Sequence, residues 1–277
     1  MKSLRLRLRL PAVVALIVAA LMLRHGPIAQ LAHYHEFADQ NRLLGIPHFA
    51  DVMSNLGFAL VALWGWHVLA PASGSESLRH GWVGYRLFLV GVFLTACGSS
   101  YYHLAPDNGS LLWDRLPIAL SCAGLLAGVW SDVWQKRADA LVIVLGVFAV
   151  ISVLWWRFTD QSGVGDLRPY LYLQALPLLL IPLWQWAHRS PGAERLAFGL
   201  AIAFYVLAKW AELNDHAIAT ALGCMTGHTL KHLLATAAVW MVVMRLRRRI
   251  GENKSGAKST GEKNVALAAD WPATGMA

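Results

Sequence analysis

Five side chains in this sequence have types and spacings that suit joint chemistry: Ser99, His103, Asp114, His228 and His232. In GHTLKHLL, His228 and His232 stand four residues apart, which on a helix stacks both imidazoles on one face with Cβ atoms roughly 5–6 Å apart. From that spacing both rings reach one metal ion. In GSSYYHLAP, Ser99 precedes His103 by four residues and shares its face. A third His from a second helix completes a three-nitrogen set, and three neutral imidazoles with a fourth position open describe a catalytic zinc site, which lowers the pKa of water to about 7. Asp114 then serves as proton acceptor or as a partner that orients the centre. Plainer readings stand beside these. Arg115 can pair with Asp114, Asp114 can cap a helix that begins near Arg115, and a Ser in an apolar helix often bonds the carbonyl one turn back.

These residues need elements that bring them together, and the composition says which kind. Hydrophobic residues make up 57% of the 277 and charged ones 14%, far from the balance of a water-soluble globule. Stretches such as 141–156 carry no charge at all. The thirteen Trp suit the boundary between lipid headgroups and acyl chains. Apolar runs long enough to span a bilayer lie near 10–24, 50–70, 83–104, 114–131, 139–157, 169–187, 195–213 and 226–244. The expectation is an all-α polytopic membrane protein: a seven-helix core over 49–245, preceded by a basic segment with an anchor helix at 1–24 and an outer linker at 25–48. MKSLRLRLR followed by a short apolar core also suits a signal peptide, but no A-x-A site follows closely, so an uncleaved helix is expected. The tail, 246–277, is rich in Gly, Ser, Lys, Thr and Ala without apolar period and is expected to be disordered.

The net charge of +8 reads as a topology signal rather than a nucleic-acid surface. Most of the 24 Lys and Arg fall in alternate loops and the tail, which predicts both termini on the cytoplasmic side. With that orientation, His103, Asp114, His228 and His232 all reach the same depth near the outer face. Ionisable groups inside membrane helices are costly, so this convergence reads as functional. Lys209, Glu212 and Asp215 near one helix end read as an ion pair between helices, and His67, His80 and His188 as interfacial residues. The outer segment holding His33, His35, Glu36, Asp39, His48 and Asp51 reads as a solvated linker, with a second cation site as the alternative. Cys97, Cys122 and Cys224 form neither a disulfide framework nor a metal knot.

The blocks SNLGFALVALWG, GSSYYHLAPDNGSLLWDRLPIAL, KWAELNDHAI and GHTLKHLLATAAVW, in that order from about Asp51 to Met244, resemble the alkaline ceramidase family of integral membrane hydrolases, within the wider superfamily of progestin and adipoQ receptors. The resemblance implies zinc held by His103, His228 and His232, with Asp114 as the base that takes a proton from water. It implies that Ser99 supports the zinc environment and the developing oxyanion, and that the substrate is the amide of ceramide or a related N-acyl lipid. Family members from animals carry a calcium site with a Glu six positions ahead of the S-N pair. Here His48 stands at that position, so calcium dependence is not expected. Three other readings compete: a lipid receptor with structural zinc, a hydrolase of ester lipids, and a haem-ligating membrane cytochrome. The last is disfavoured because His228 and His232 share one face and would crowd a porphyrin.

Overall fold

The computed structural model describes residues 2–269 of the chain, with side chains over 9–253. The described residues are helical without a strand, in the order α1 (Lys2–His25), α2 (Phe49–Ser54), α3 (Leu56–Leu69), α4 (Trp82–Leu104), α5 (Asn108–Trp134), α6 (Asp139–Gln161), α7 (Arg168–Ala187), α8 (Gly192–Leu213), α9 (Asp215–Leu222) and α10 (Gly227–Ala269). Six stretches among the described residues are long and apolar enough to cross a membrane: Phe49–Ala72, α4, α5, α6, α8 and Gly227–Asn253. They fit an integral multi-pass membrane protein. Helices also form where the first and sixth of the eight expected spans lie. α7 turns its polar groups inward, where Gln174 Oε1 accepts from the Tyr205 hydroxyl at 3.1 Å. α1 lies against α7, with the Tyr172 hydroxyl donating to the Ala15 carbonyl at 3.3 Å.

The pair α4 and α5 sets the frame of the bundle. Gly84, Gly91 and Gly98 repeat every seven residues along α4 and face α5. A Cβ at Gly98 would fall on the Trp113 carbonyl oxygen, and one at Gly84 on the backbone of Gly128. The two backbones therefore touch, as helices do in membranes where small residues line the seam. This seam lies next to Ser99 and His103 on α4 and Asp114 on α5.

α5 begins at Asn108, earlier than the expected span. Asp107 caps it, accepting from the Ser110 amide at 2.6 Å, while the Ser110 hydroxyl accepts from the Asp107 amide at 3.1 Å. That amide bond holds the Asp107 carboxyl below its ordinary range. Asp114 is thus two turns inside the helix and does not cap it.

At the far end of α10, Arg249 pairs with Asp132 at 2.7 Å and Arg245 with Glu194 at 2.7 Å. Leu246 and Ile250 are buried beside them, so packing runs on past residue 246. α10 continues to Ala269, and residues 270–277 of the expected tail lie outside the described residues.

Gly98→Ala is expected to cost about 1–3 kcal/mol as overpacking at the seam. Gly199→Ala faces open space, so it is expected to be neutral or to stabilise by up to about 1 kcal/mol through the unfolded chain. Thermal unfolding in detergent compares the two. Equal melting temperatures would remove the seam from its proposed role.

Candidate metal centre

The last turn of α4 supplies His103, and the first turns of α10 supply His228 and His232. Each offers one ring nitrogen such that the three atoms lie within 4.8 Å of one another. Ring centroids stand 4.7 Å (His103–His228), 5.2 Å (His103–His232) and 4.9 Å (His228–His232) apart. All three residues are buried, His103 completely. The group can hold one metal ion.

The chemistry of the donors supports that use. Among the described residues, both ring nitrogens of His103 are buried without a hydrogen-bond partner. An orphaned polar group of this kind costs about 1–3 kcal/mol, and a metal bond relieves it. His232 is oriented by Ser54 on α2. The Ser54 hydroxyl donates to the Asp51 carbonyl at 2.9 Å and so accepts from His232 Nδ1–H at 2.7 Å. The lone pair of His232 then sits on Nε2, which faces the Ser99 hydroxyl at 3.5 Å. At His228, the Lys231 ammonium donates to Nε2 at 2.8 Å and to Glu212 Oε1 at 3.0 Å. Ligation through that nitrogen requires Lys231 to withdraw onto Glu212, whereas Nδ1 is the other atom His228 offers.

The start of α10 is held by its neighbours. Thr226 caps it, its hydroxyl accepting from the Thr229 amide at 3.0 Å. Asp215 Oδ1 accepts from the His228 amide at 2.8 Å, and the Thr229 hydroxyl donates to Asp51 Oδ1 at 2.6 Å. Gly227 sits so close to the Ala211 carbonyl and the Asp215 backbone that a Cβ has no room.

Ser99 and Asp114 join this cluster across the α4–α5 seam. The Ser99 hydroxyl lies beside the Asp114 carboxylate, and both side chains are buried. With capping assigned to Asp107, Asp114 is left free of structural duty at the helix start. Of the residues expected to pair, Glu212 bonds Lys209 within α8 at 2.7 Å, its bond between helices goes to Lys231 at 3.0 Å, and Asp215 takes backbone amides instead. His67, His80 and His188 do not join the cluster, and the three cysteines are free.

The segment 25–48 is no solvated tether. Asp39 is fully buried and accepts from the amides of Ala50 at 2.8 Å and Asp51 at 3.1 Å. Phe37 packs over the imidazoles, its ring 4.5 Å from that of His103 and 4.6 Å from that of His228. The Ala38 amide donates to Asp215 Oδ2 at 2.8 Å. The segment's other end is tied to the α6–α7 loop, where Leu167 donates to the Ile28 carbonyl at 2.8 Å and Ile28 to Asp166 at 3.2 Å. Burial alone raises the Asp166 carboxyl, but hydrogen bonds from Arg168 and Trp155 hold it well below the usual carboxylate range. Phe37, Ser54 and Lys231 are site residues that the sequence reading did not single out. Lys231, a charge within an expected span, and Ser54, which opens the SNLGFALVALWG block, carried a signal in the sequence, whereas Phe37 carried none.

Below the cluster lies a cavity of about 940 Å³. His228, Lys231, His232, Ala235, Val239 and Val242 line it along one face of α10, a run of about 21 Å at the helical rise. His228, His232, Lys231, Glu212 and Asp114 line it together with many apolar side chains, including Phe88, Ile181 and Phe198, and with the hydrogen-bonded pair Gln174 and Tyr205. No family model matches the chain, and no curated protein or solved structure matches it.

The purified protein is expected to hold one divalent ion per chain, which His103→Ala abolishes. Ser54→Ala, which removes only the partner of His232, is expected to weaken the ion by about 10- to 100-fold. Metal quantification after dialysis against graded chelator checks both. Undiminished retention in the His103 variant would exclude this centre.

Proposed function

We propose that the chain is a zinc-dependent membrane amidohydrolase that cleaves the amide of ceramide or a related N-acyl lipid, giving a fatty acid and a long-chain amino alcohol. The observation that carries this reading is the position of three metal-competent imidazoles, with Ser99 and Asp114 beside them, at one end of a largely apolar cavity. An acyl chain fits the apolar depth and places its amide at the imidazoles. The resemblance to alkaline ceramidases supports the same assignment.

Zinc, when bound by His103, His228 and His232, supplies carbonyl polarisation and a more acidic water at its open position. The chain's own residues do the rest. Asp114, held without a capping role, takes the proton from the attacking water and passes it to the departing nitrogen. The Ser99 hydroxyl, 3.5 Å from His232 Nε2, donates to the oxygen that gains charge as the carbonyl is attacked. Phe37 over the imidazoles limits water on that side. A centre that were purely structural would need the imidazoles only, and the buried Ser99 and Asp114 favour catalysis over a receptor's zinc clamp.

The arrangement of Lys and Arg supports both termini on the cytoplasmic side and the zinc centre toward the outer face. A reporter fused after Met244 is expected to signal cytoplasm, and a periplasmic or luminal signal would reverse the orientation.

Fatty-acid release from ceramide, N-acyl and O-acyl lipids tests the activity. Asp114→Asn is expected to lower kcat by about 10²- to 10⁴-fold, the typical worth of a positioned proton acceptor, while the bound metal stays. His103→Ala is expected to lose both. Wild-type protein that binds metal yet releases no fatty acid from any of these lipids would overturn the hydrolase reading.

A further inference from the structure

Arg115 is a buried cation that no carboxylate pairs with directly among the described residues. It is 3% exposed and lines the cavity near the imidazole cluster. Among the described residues it makes no hydrogen bond and no ion pair, and its Nη1 is buried with no partner. Asp114 precedes it directly, but adjacent residues of a helix point in different directions and do not face each other. The guanidinium is instead caged by rings, 4.0 Å from the Trp156 centroid, 5.3 Å from Tyr34 and 5.6 Å from Tyr170. Aromatic faces hold the cation in place but leave its N–H fork unused, and that fork matches a carboxylate.

The neighbouring charges do not satisfy it. Lys209 and Lys231 both bond Glu212. The other carboxylates that line the cavity are engaged elsewhere: Asp215 accepts the Ala38 and His228 amides, Glu36 pairs with His33, and the Ser99 hydroxyl lies beside Asp114. A buried charge without a partner is strongly disfavoured. The group that would balance it is a monoanion. Tyr34 links the two regions: its ring faces Arg115, and its hydroxyl donates to Glu212 at 3.4 Å, next to the Lys231 that touches His228. The vacant fork, His228 and His232 thus share one cavity.

We propose that the cavity takes an N-acyl amino acid, a fatty-acyl amide whose free carboxylate pairs with Arg115. The identification of the amide rests on the hydrolase reading above, whereas the anionic headgroup rests on Arg115 alone. In hydrolysis the C–N bond breaks, the water oxygen joins the acyl carbon, and the nitrogen takes a proton, which releases a fatty acid and a free amino acid. In such a substrate the carboxylate carbon is two bonds from the amide nitrogen, and Arg115, His228 and His232 line the one cavity that would hold both groups. Ceramide offers hydroxyls there and leaves the charge unbalanced.

The test uses binding without turnover. The probe is the ketone analogue of N-palmitoylglycine, with methylene in place of the amide NH, bound to the full chain as purified with its metal. Its neutral counterpart is the matching analogue of N-palmitoylethanolamine, and a third arm carries a phosphate in place of the carboxylate. Wild type is expected to prefer the carboxylate over the neutral analogue by about 10- to 100-fold, the worth of a charge-assisted pair. Arg115→Gln is expected to erase that preference and leave the neutral analogue's affinity unchanged. Arg115→Lys, which keeps the charge and loses the fork, is expected to fall between. Equal wild-type binding of acid and neutral analogues would overturn the proposal, whether or not Arg115→Gln folds, and tighter binding of the phosphate would overturn the choice of carboxylate. Selective binding without cleavage of N-palmitoylglycine would sink the hydrolase reading and keep the anion site. Cleavage of ceramide with no preference among the analogues would do the reverse.

Discussion

A polar group inside an apolar helical bundle has no water to fall back on, so the chain itself must satisfy it. Much of this structure follows from that constraint. Glu212 on α8 gathers Lys209 from its own helix and Lys231 from α10. Asp51 takes the hydroxyl of Thr229, and Asp215 takes the His228 amide, so the start of α10 is fixed by carboxylates from α2 and α9. At the opposite end Arg245 and Arg249 bind α10 to Glu194 and Asp132. Two of the groups outside this accounting lie at or beside the candidate site. Among the described residues, the ring nitrogens of His103 and Nη1 of Arg115 are buried without hydrogen-bond partners; Arg115 lines the cavity, and His103 stands beside the His228 and His232 that line it. A metal answers the first and an anion the second.

The helical character and the three-imidazole cluster were legible in the sequence because both depend on the helix period. Four-residue spacing puts His228 and His232 on one face wherever the helix goes, and apolar length marks the spans. What was not legible depends on contacts between distant segments. Nothing in HYHEFADQ announces that Phe37 will stack on His103, because that contact follows from how 25–48 folds back. The role of Asp114 was ambiguous for a local reason. An Asp before Arg115 and Pro117 looks like a cap, and the helix in fact starts seven residues earlier on the Asp107–Ser110 box. The seven-residue spacing of Gly84, Gly91 and Gly98 gains its meaning only from the neighbouring backbone of α5.

The basic residues carry two kinds of information that composition merges. Arg245 and Arg249 belong to the cluster after Met244 that reads as a topology signal, yet each is engaged in an ion pair that closes the bundle. Counting charges by loop therefore weighs packing residues together with orientation signals. Arg115 belongs to neither group. It lies within a spanning helix, cannot report topology, and pairs with no carboxylate among the described residues.

The two oxygens of Asp215 receive amides from Ala38 and His228. One belongs to the segment whose Phe37 covers the imidazoles, the other to the helix that carries two of them. Roof and floor are thus hung from a single side chain, although nearly two hundred residues of sequence lie between them. The cover is not an independent flap on a finished site: whatever draws it aside also tugs at the helix end where the imidazoles are set, so access to the centre and the geometry of the centre form one mechanical unit.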